Sequence, residues 1–342
     1  MGKIVLIYTG GTVGMRENPQ TGALEAVDFG ELLPMLGELG KMRLEFETVT
    51  FNPPLDSCNV GPETWKQIAE EIIARYDSAD GFVVLHGTDT MAYSASALSF
   101  MLDHLSKPVI FTGSQLPIGR PRTDGKENLI SAVEIAAARD GDGHALVPEV
   151  CICFNSQLLR GNRSVKVNAT GFDAFSSPNY PPLATAGISI KYNTGLIHHP
   201  SEPGRPLEIH TTLDTRVSVL KVHPGITEQA VRDILLGTGT RAVIIETYGS
   251  GNAISKAWFL SIIREAVKMG KILVNITQCL SGDVDMDIYA TGRALKDAGV
   301  ISGHDATTES ALGKLFFLMG GHPDNHEVKA LLEKNLKGEI SK

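Results

Sequence analysis

No apolar stretch in this chain approaches the roughly 20 residues that a membrane-spanning helix needs. Nor does it contain a run of lysine or arginine, a low-complexity tract or a repeat of fixed period. Without the first, no membrane association is expected. Without a basic run, and with a net charge of −8, no nucleic-acid partner is expected either. Cysteine is scarce: Cys58, Cys151, Cys153 and Cys279, with no C-x-x-C spacing. Cys151 and Cys153 alternate on an expected strand and read as small buried apolar residues, so a reducing, cytoplasmic setting is expected. The ten histidines form no H-E-x-x-H. His198 and His199 lie in a proline-flanked polar segment, and Pro323 separates His322 from His326. Asp283, Asp285 and Asp287 lack the glycine and closing glutamate of a calcium loop. Neither a metal nor a cofactor is expected. The chain runs from Met-Gly-Lys directly into a strand, and Leu6 stands where a myristoylation signal has Ser or Thr, so no leader or lipid anchor is expected.

Hydrophobic residues make up 42% of the 342 positions and charged residues 20%, the composition of a globular protein long enough for two domains. The most informative stretch is Lys3 to Met15, KIVLIYTGGTVGM. Ile4 to Tyr8 have the β-branched and aromatic composition of a strand buried on both faces. Thr9-Gly10-Gly11-Thr12 then breaks it. Two glycines let another molecule approach bare amides. A hydroxyl there, beside unpaired N–H groups, has the makings of a nucleophile next to its own oxyanion hole; a tight packing turn fits the same residues. Gly10-Gly11-Thr12-Val13-Gly14 does not supply the first glycine of G-x-G-x-x-G, and no P-loop lysine follows, which argues against both phosphate-binding motifs.

Along the chain, Arg16 to Gly30 is polar and reads as a mobile loop placed to act as a lid. A helix is expected from about Glu31 and a strand over Leu44–Phe51. A polar, proline-containing loop, Asn52 to Asn59, precedes a helix with Pro62 at its first position. Trp65, Ile68, Ala69, Ile72, Ile73 and Tyr76 define that helix's apolar face. Strands are expected at 81–85, 108–111 and 150–154, with helices at 91–105 and 128–139. This alternation is the signature of a mainly parallel sheet flanked by helices. Thr9–Thr12, His86–Thr90 and Thr112–Gln115 each lie just past the C-terminal end of a strand, where open α/β sheets bind ligands. The pattern fades over 191–212, read as a linker. A smaller parallel α/β domain, 213–342, follows the N-terminal domain, 1–190. In it, helices are expected at 228–236 and 255–269 and strands at 242–246 and 271–276.

Two long motifs, L-I-Y-T-G-G-T-V-G at Leu6–Gly14 and G-F-V-V-L-H-G-T-D-T-M at Gly81–Met91, resemble the asparaginase/glutaminase family of amidohydrolases. So do Met91–Phe100, Thr112-Gly-Ser-Gln, Leu159–Lys166, Gly171–Asn179 and Tyr248-Gly-Ser-Gly-Asn. The chain is most similar to the cytoplasmic, type I bacterial members. The resemblance implies Thr12 as nucleophile and Thr88, Asp89 and Lys166 as a second triad. It implies that Gly11, Asp56, Ser57, Cys58, Thr88 and Asp89 bind substrate, that Ser114 lies near the leaving amide, and that Asn252 reaches a neighbouring subunit's site. It further implies L-asparagine as substrate and a homo-oligomer, a dimer or a dimer of dimers.

By themselves, Thr88 and Asp89 fit a helix cap better than a site, and Lys166 a surface lysine; the joint pattern carries the assignment. The chain departs from the family twice. Relatives often carry a tyrosine in the lid, but none occurs between Met15 and Phe51, and Ala23-Leu24 takes its approximate place. Some type I members also bind asparagine at an effector site that uses an arginine. Here Glu246 stands in that position, with Thr277, Gln278 and Cys279 retained. A carboxylate cannot hold an effector carboxylate, so activation by asparagine is expected to be weak or absent. The alternatives are a broader glutaminase-asparaginase, an amidotransferase subunit acting on tRNA-bound glutamate, and a catalytically silent amino-acid sensor. The amidotransferase would require a further N-terminal domain ahead of a strand that here begins at residue 3.

Overall fold

The computed structural model describes residues 2–17, 20–21, 24–26, 37–200, 202 and 204–341. The chain separates into two compact units, Met1–Thr211 and Thr212–Lys342.

The first unit is built on strands β1 (Gly2–Gly10), β2 (Leu44–Leu55), β3 (Gly81–Leu85), β4 (Val109–Thr112) and β5 (Val150–Phe154). Helices α1 (Pro62–Arg75), α2 (Met91–Met101) and α3 (Gly125–Ala137) connect them. Strands β1 to β5 are parallel in the order β2-β1-β3-β4-β5. The sheet is then extended antiparallel beyond β5 by β6 (Gln157–Arg160), which runs into β7 (Val165–Lys166). β7 pairs with β8 (Phe175–Ser176) in a separate ribbon, and β9 (Ala184–Thr185) and β10 (Lys191–Tyr192) complete the main sheet's far edge. Alternate residues divide between two faces. Ile4, Leu6, Tyr8, Val83, Leu85, Ile110, Cys151 and Cys153 share one core with Leu129, Ala132, Val133 and Ala136 of α3. Val5, Ile7, Phe82, Val84 and Phe111, on the other face, are equally buried. The strands thus read as continuous apolar runs because both faces are covered.

Several local expectations shift. Met15–Glu17 pairs with Leu24–Ala26 across the stretch 16–30 read as a mobile loop, of which 18–19, 22–23 and 27–30 lie outside the described residues. The helix expected from about residue 31 begins outside the described residues, which resume at 37 and show only a 3₁₀ turn at Leu39–Lys41. Helix α2 stops at Met101, not 105, because Leu102–Asp103 pairs with Glu208–Ile209 and His104 takes a left-handed φ of 57°. Helix α3 starts three residues early, at Gly125. In α1, Ile73 is 39% exposed; at 100° per residue it falls on the rim of the stripe formed by Trp65, Ile68, Ala69 and Ile72. The segment 191–212, read as a linker, falls almost wholly within the first unit and pairs with it at two places, through β10 and Glu208–Ile209. Its short polar pieces form ladder bonds without needing an apolar period.

The second unit is a parallel sheet in the order β11 (Val217–Lys221), β12 (Ala242–Thr247), β13 (Ile272–Thr277), β14 (Ile301–Ser302). Helices α4 (Glu228–Leu236), α5 (Ala257–Lys268) and α6 (Ala290–Asp297) accompany it, followed by α7 (Thr308–Gly321) and α8 (Asn325–Leu332). Val243, Ile245 and Leu273 pack with Phe259, Ile262 and Ile263 of α5 on one face. Ile244, Val274 and Ile276 pack with Leu315, Leu318 and Met319 of α7 on the other. Each unit carries one of the chain's two tryptophans. Trp65 hydrogen-bonds inside the first unit, and Trp258 stands edge-on to Phe259 in the second. Among the described residues, no helix is long and apolar enough to cross a membrane.

Candidate active site

Three strand ends meet through backbone contacts that only glycine allows. Gly11, at φ 88°, packs so closely that a Cβ there would stand 2.5 Å from Gly87 Cα. A Cβ on Gly87 would stand 2.5 Å from Ser57 Oγ and 3.4 Å from Gly11 Cα. Any side chain at either glycine would therefore push apart the ends of β1, β3 and the loop after β2. The contact brings the turn that begins at Thr12 beside the residues that follow Gly87, with buried Ser57 against Gly87. Gly10 pairs with Leu55 after a register jump from the Tyr8–Thr50 pair, which carries Asp56 to the same end of the sheet. Thr12 itself opens a 3₁₀ turn, Thr12–Gly14, closed by Gly14 N–H donating to Gly11 O at 3.3 Å. Burial pushes the Tyr8 phenol up to about 12. It therefore stays protonated and donates to Gly11 O at 3.5 Å.

Lys166, on β7, reaches across this end of the sheet. Its Nζ lies 2.8 Å from Thr88 Oγ1 and 2.8 Å from Asp89 Oδ1. The lysine side chain is 19% exposed and that of Asp89 64%. A half-sequestered amine donating to a hydroxyl and a carboxylate is thus built from residues 77 and 78 positions apart. Thr88 Oγ1 in turn donates to Gln115 Oε1 at 3.3 Å, and Gln115 Nε2 donates to Gly171 O at 3.0 Å. Asp56 caps the turn Ser57–Asn59, accepting Cys58 N–H at 3.2 Å. Thr90 Oγ1 donates to Ser57 O at 2.7 Å. Desolvation, then the hydrogen bond and charge of Asp56, and lastly the charge of Asp89 push the Cys58 thiol up, so it stays protonated. Ser114 is buried and its hydroxyl donates to Leu116 O at 2.5 Å.

The residues Gly11, Thr12, Asp56, Ser57, Cys58, Thr88, Asp89, Ser114 and Lys166 all belong to the first unit. Asn252 lies in the second, at the foot of a hairpin where Tyr248 and Asn252 exchange backbone bonds at 2.8 Å each. Glu246, Thr277, Gln278 and Cys279 also belong to the second unit, at the ends of β12 and β13. Glu246 is engaged there by Lys221 at 3.5 Å and by Thr308 Oγ1 at 2.8 Å. Gln278 Nε2 donates to the carbonyls of Val222 and Glu246, tying two strand ends together.

Sequence reasoning passed over three supports. Gln115 was visible only as the residue after Ser114. Asp124 receives the Gln115 and Leu116 N–H groups at 3.0–3.1 Å, and Asn128 Nδ2 donates to Gly113 O at 3.0 Å. Nothing in the spacing of a polar pair on a helix announces that it holds a strand end.

The third is His86, which is fully buried. The indole N–H of Trp65 can only donate, and it lies 2.9 Å from Ser94 Oγ. Gly87 O can only accept, so His86 Nδ1 carries the proton and donates to it at 2.7 Å, and Ser94 donates to the bare Nε2 of the neutral ring at 2.9 Å. The chain fixes the tautomer and the carbonyl just before Thr88. Desolvation by burial pushes the His86 imidazole down to about 4. Because its folded value lies below its ordinary one, the stability contributed by the neutral ring is complete above pH 6.5. It is lost as pH falls from 6.5 toward 4, by roughly 3 kcal/mol. Urea midpoints across that window should fall in the native protein and fall less in a His86→Asn variant, whose amide can still donate to Gly87 O.

Residues 3–198 match the family described as Asparaginase, N-terminal, and residues 216–332 match the Glutaminase/Asparaginase C-terminal domain. The chain belongs to the asparaginase/glutaminase family of amidohydrolases. It is 43% identical over 340 residues to L-asparaginase 1 of Escherichia coli K12, covering 99% of this chain and 98% of that protein. L-asparaginase I of Vibrio cholerae superposes with a TM-score of 0.88 at 40% identity, covering 100% of this chain and 99% of that one. The thermostable L-asparaginase of Thermococcus kodakarensis superposes at 0.89 with 32% identity, covering 99% of each chain.

Proposed function

We propose that this protein hydrolyses the side-chain amide of L-asparagine to L-aspartate and ammonia through an acyl-enzyme on Thr12. The observation that carries the reading is the placement of Lys166 Nζ at 2.8 Å from both Thr88 Oγ1 and Asp89 Oδ1, with the Gly11–Gly87 contact joining the two threonine-bearing segments. In this reading Thr12 Oγ attacks the amide carbon. The C–N bond breaks, the threonine's proton leaves with the amide nitrogen as ammonia, and a β-aspartyl ester remains. Backbone N–H groups after Gly10-Gly11, with Thr88, stabilise the oxyanion. Thr88, oriented by Lys166, then activates water. The water adds to the ester, aspartate leaves, and the proton returns to Thr12. Asp89 and Asp56 face the substrate's ammonium, and Ser57 and the Cys58 loop enclose its carboxylate. Ser114 closes the amide end.

We further propose that Asn252 of a neighbouring copy completes the site, making the working form a dimer or dimer of dimers. The four cysteines are all free, Cys58 and Cys279 at the surface, which supports a reducing, cytoplasmic setting.

Ammonia release by the purified protein from asparagine and from glutamine tests the activity and its specificity together. Turnover of asparagine well above glutamine is expected, and no release from either would leave the sensor reading standing. The same assay tests regulation. Since Glu246 already engages Lys221 and Thr308, the rate should rise hyperbolically with asparagine. A sigmoidal curve that becomes hyperbolic in a Cys279→Ala variant would show the effector site to be working.

A further inference from the structure

Two asparagine amides in the second unit each accept a threonine hydroxyl on Oδ1. Asn275 is fully buried. Its Oδ1 accepts the Thr247 hydroxyl at 2.7 Å, and its Nδ2 donates to Gly251 O at 3.1 Å. Gly251, at φ 108°, brings the hairpin so close that a Cβ would stand 3.0 Å from Asn275 Nδ2. The next residue is Asn252. Its Oδ1 accepts the Thr291 hydroxyl, from the first turn of α6, at 2.6 Å. A side-chain amide has one face that accepts and one that donates, and a half-turn about its last torsion exchanges them. A hydroxyl can donate to Oδ1 or accept from Nδ2–H; here Thr291 Oγ1 lies on Oδ1, the orientation that leaves Nδ2 for another partner. With Oδ1 engaged, Asn252 offers its Nδ2–H groups.

We propose that Thr291 is a positioning residue for substrate recognition: it locks the Asn252 amide so that Asn252 meets an oxygen acceptor of the substrate, a carboxylate or a carbonyl, and not its ammonium. Asn275 and Thr247 hold the hairpin that carries Asn252. The inference rests on the reading above that Asn252 contacts substrate. The Thr291 hydroxyl donates to Asn252 Oδ1, so the effect expected on removing that hydroxyl passes through the amide.

A double-mutant cycle on the full-length protein tests it, with KM and kcat for asparagine as readouts. Thr291→Val keeps the shape and removes the donor. It is expected to raise KM five- to tenfold, about what one hydrogen bond contributes, with a smaller change in kcat. Thr291→Ser restores the hydroxyl and should return KM to within twofold of the native value. In an Asn252→Ala background, Thr291→Val should add nothing. A Thr291→Val effect of the same size in both backgrounds would overturn the proposal, as would a native KM in Thr291→Val beside an impaired Asn252→Ala. Native kinetics in Asn252→Ala would instead remove the underlying reading of Asn252. Should the valine variant fail to fold, Thr291→Ala carries the same comparison, with a thermal melt recorded for each protein.

Discussion

Replacing Thr12 by alanine is expected to lower kcat for asparagine at least a thousandfold and to leave the melting temperature within a few degrees of native. Thr12 follows Gly11, whose own packing against Gly87 needs nothing from the Thr12 side chain. The 3₁₀ turn is closed by backbone atoms, Gly14 N–H to Gly11 O, so deleting a hydroxyl leaves it intact. What disappears is the oxygen proposed to form the ester. Removing a covalent nucleophile leaves only the residual catalysis of the oxyanion site and of binding, a loss of three to six orders of magnitude in comparable enzymes. Aspartate should still protect the variant in thermal melts, because Asp56, Ser57 and Asp89 remain. Turnover in the Thr12→Ala variant within tenfold of native would dismiss the proposed acyl-enzyme.

The second large effect concerns stability, not chemistry. In the second unit, Lys314 on α7 and Glu339 near the C-terminus form an ion pair at 2.6 Å, with side chains 5% and 0% exposed. Lys314 Nζ also donates to Leu332 O at 2.8 Å and Lys334 O at 2.5 Å. Glu339 accepts backbone N–H groups from Leu336 at 3.0 Å and Lys337 at 2.7 Å. Burial pulls the Lys314 ammonium's pKa down and the Glu339 charge opposes the shift, so the lysine depends on its partner to stay charged. Glu339→Ala leaves that ammonium stranded among carbonyls and removes the carboxylate that two backbone N–H groups donate to. A loss of about 3–5 kcal/mol is expected from urea unfolding. Lys314→Met should cost a similar amount, and the double variant less than the sum, because the penalty comes from one charge left without the other. Full additivity would show the two sites to be independent.

The strands and the places where they stop were legible because burial on both faces leaves uninterrupted apolar runs, and Gly-Gly and Gly-Thr then end them. Ile4–Tyr8 followed by Gly10-Gly11, and Phe82–Leu85 followed by Gly87-Thr88, state a strand and a terminus in the same ten residues. Lys166 was legible only through resemblance. It reaches Thr88 from a two-residue ribbon 78 positions away, and no local pattern encodes such a reach. The supports Gln115, Asp124 and His86 stayed hidden for a related reason: a buried polar residue that satisfies another element's backbone looks like any polar residue on a helix or loop. The segment 191–212 misled in the opposite direction. Its prolines and glycines carry no period, yet Lys191–Tyr192 and Glu208–Ile209 each need only two residues to pair. Ile73 shows the limit of a periodic stripe, whose rim is set by what packs against it.

Trp65 and Trp258 divide between the two units, and this gives the molecule a native optical label for each half. Replacing one indole by phenylalanine at a time would let fluorescence follow either half alone through a melt. The first emitter also ends the hydrogen-bonded chain to His86, so its spectrum should register protonation of that buried imidazole during acidification, while the second, set against Phe259, stays silent to it.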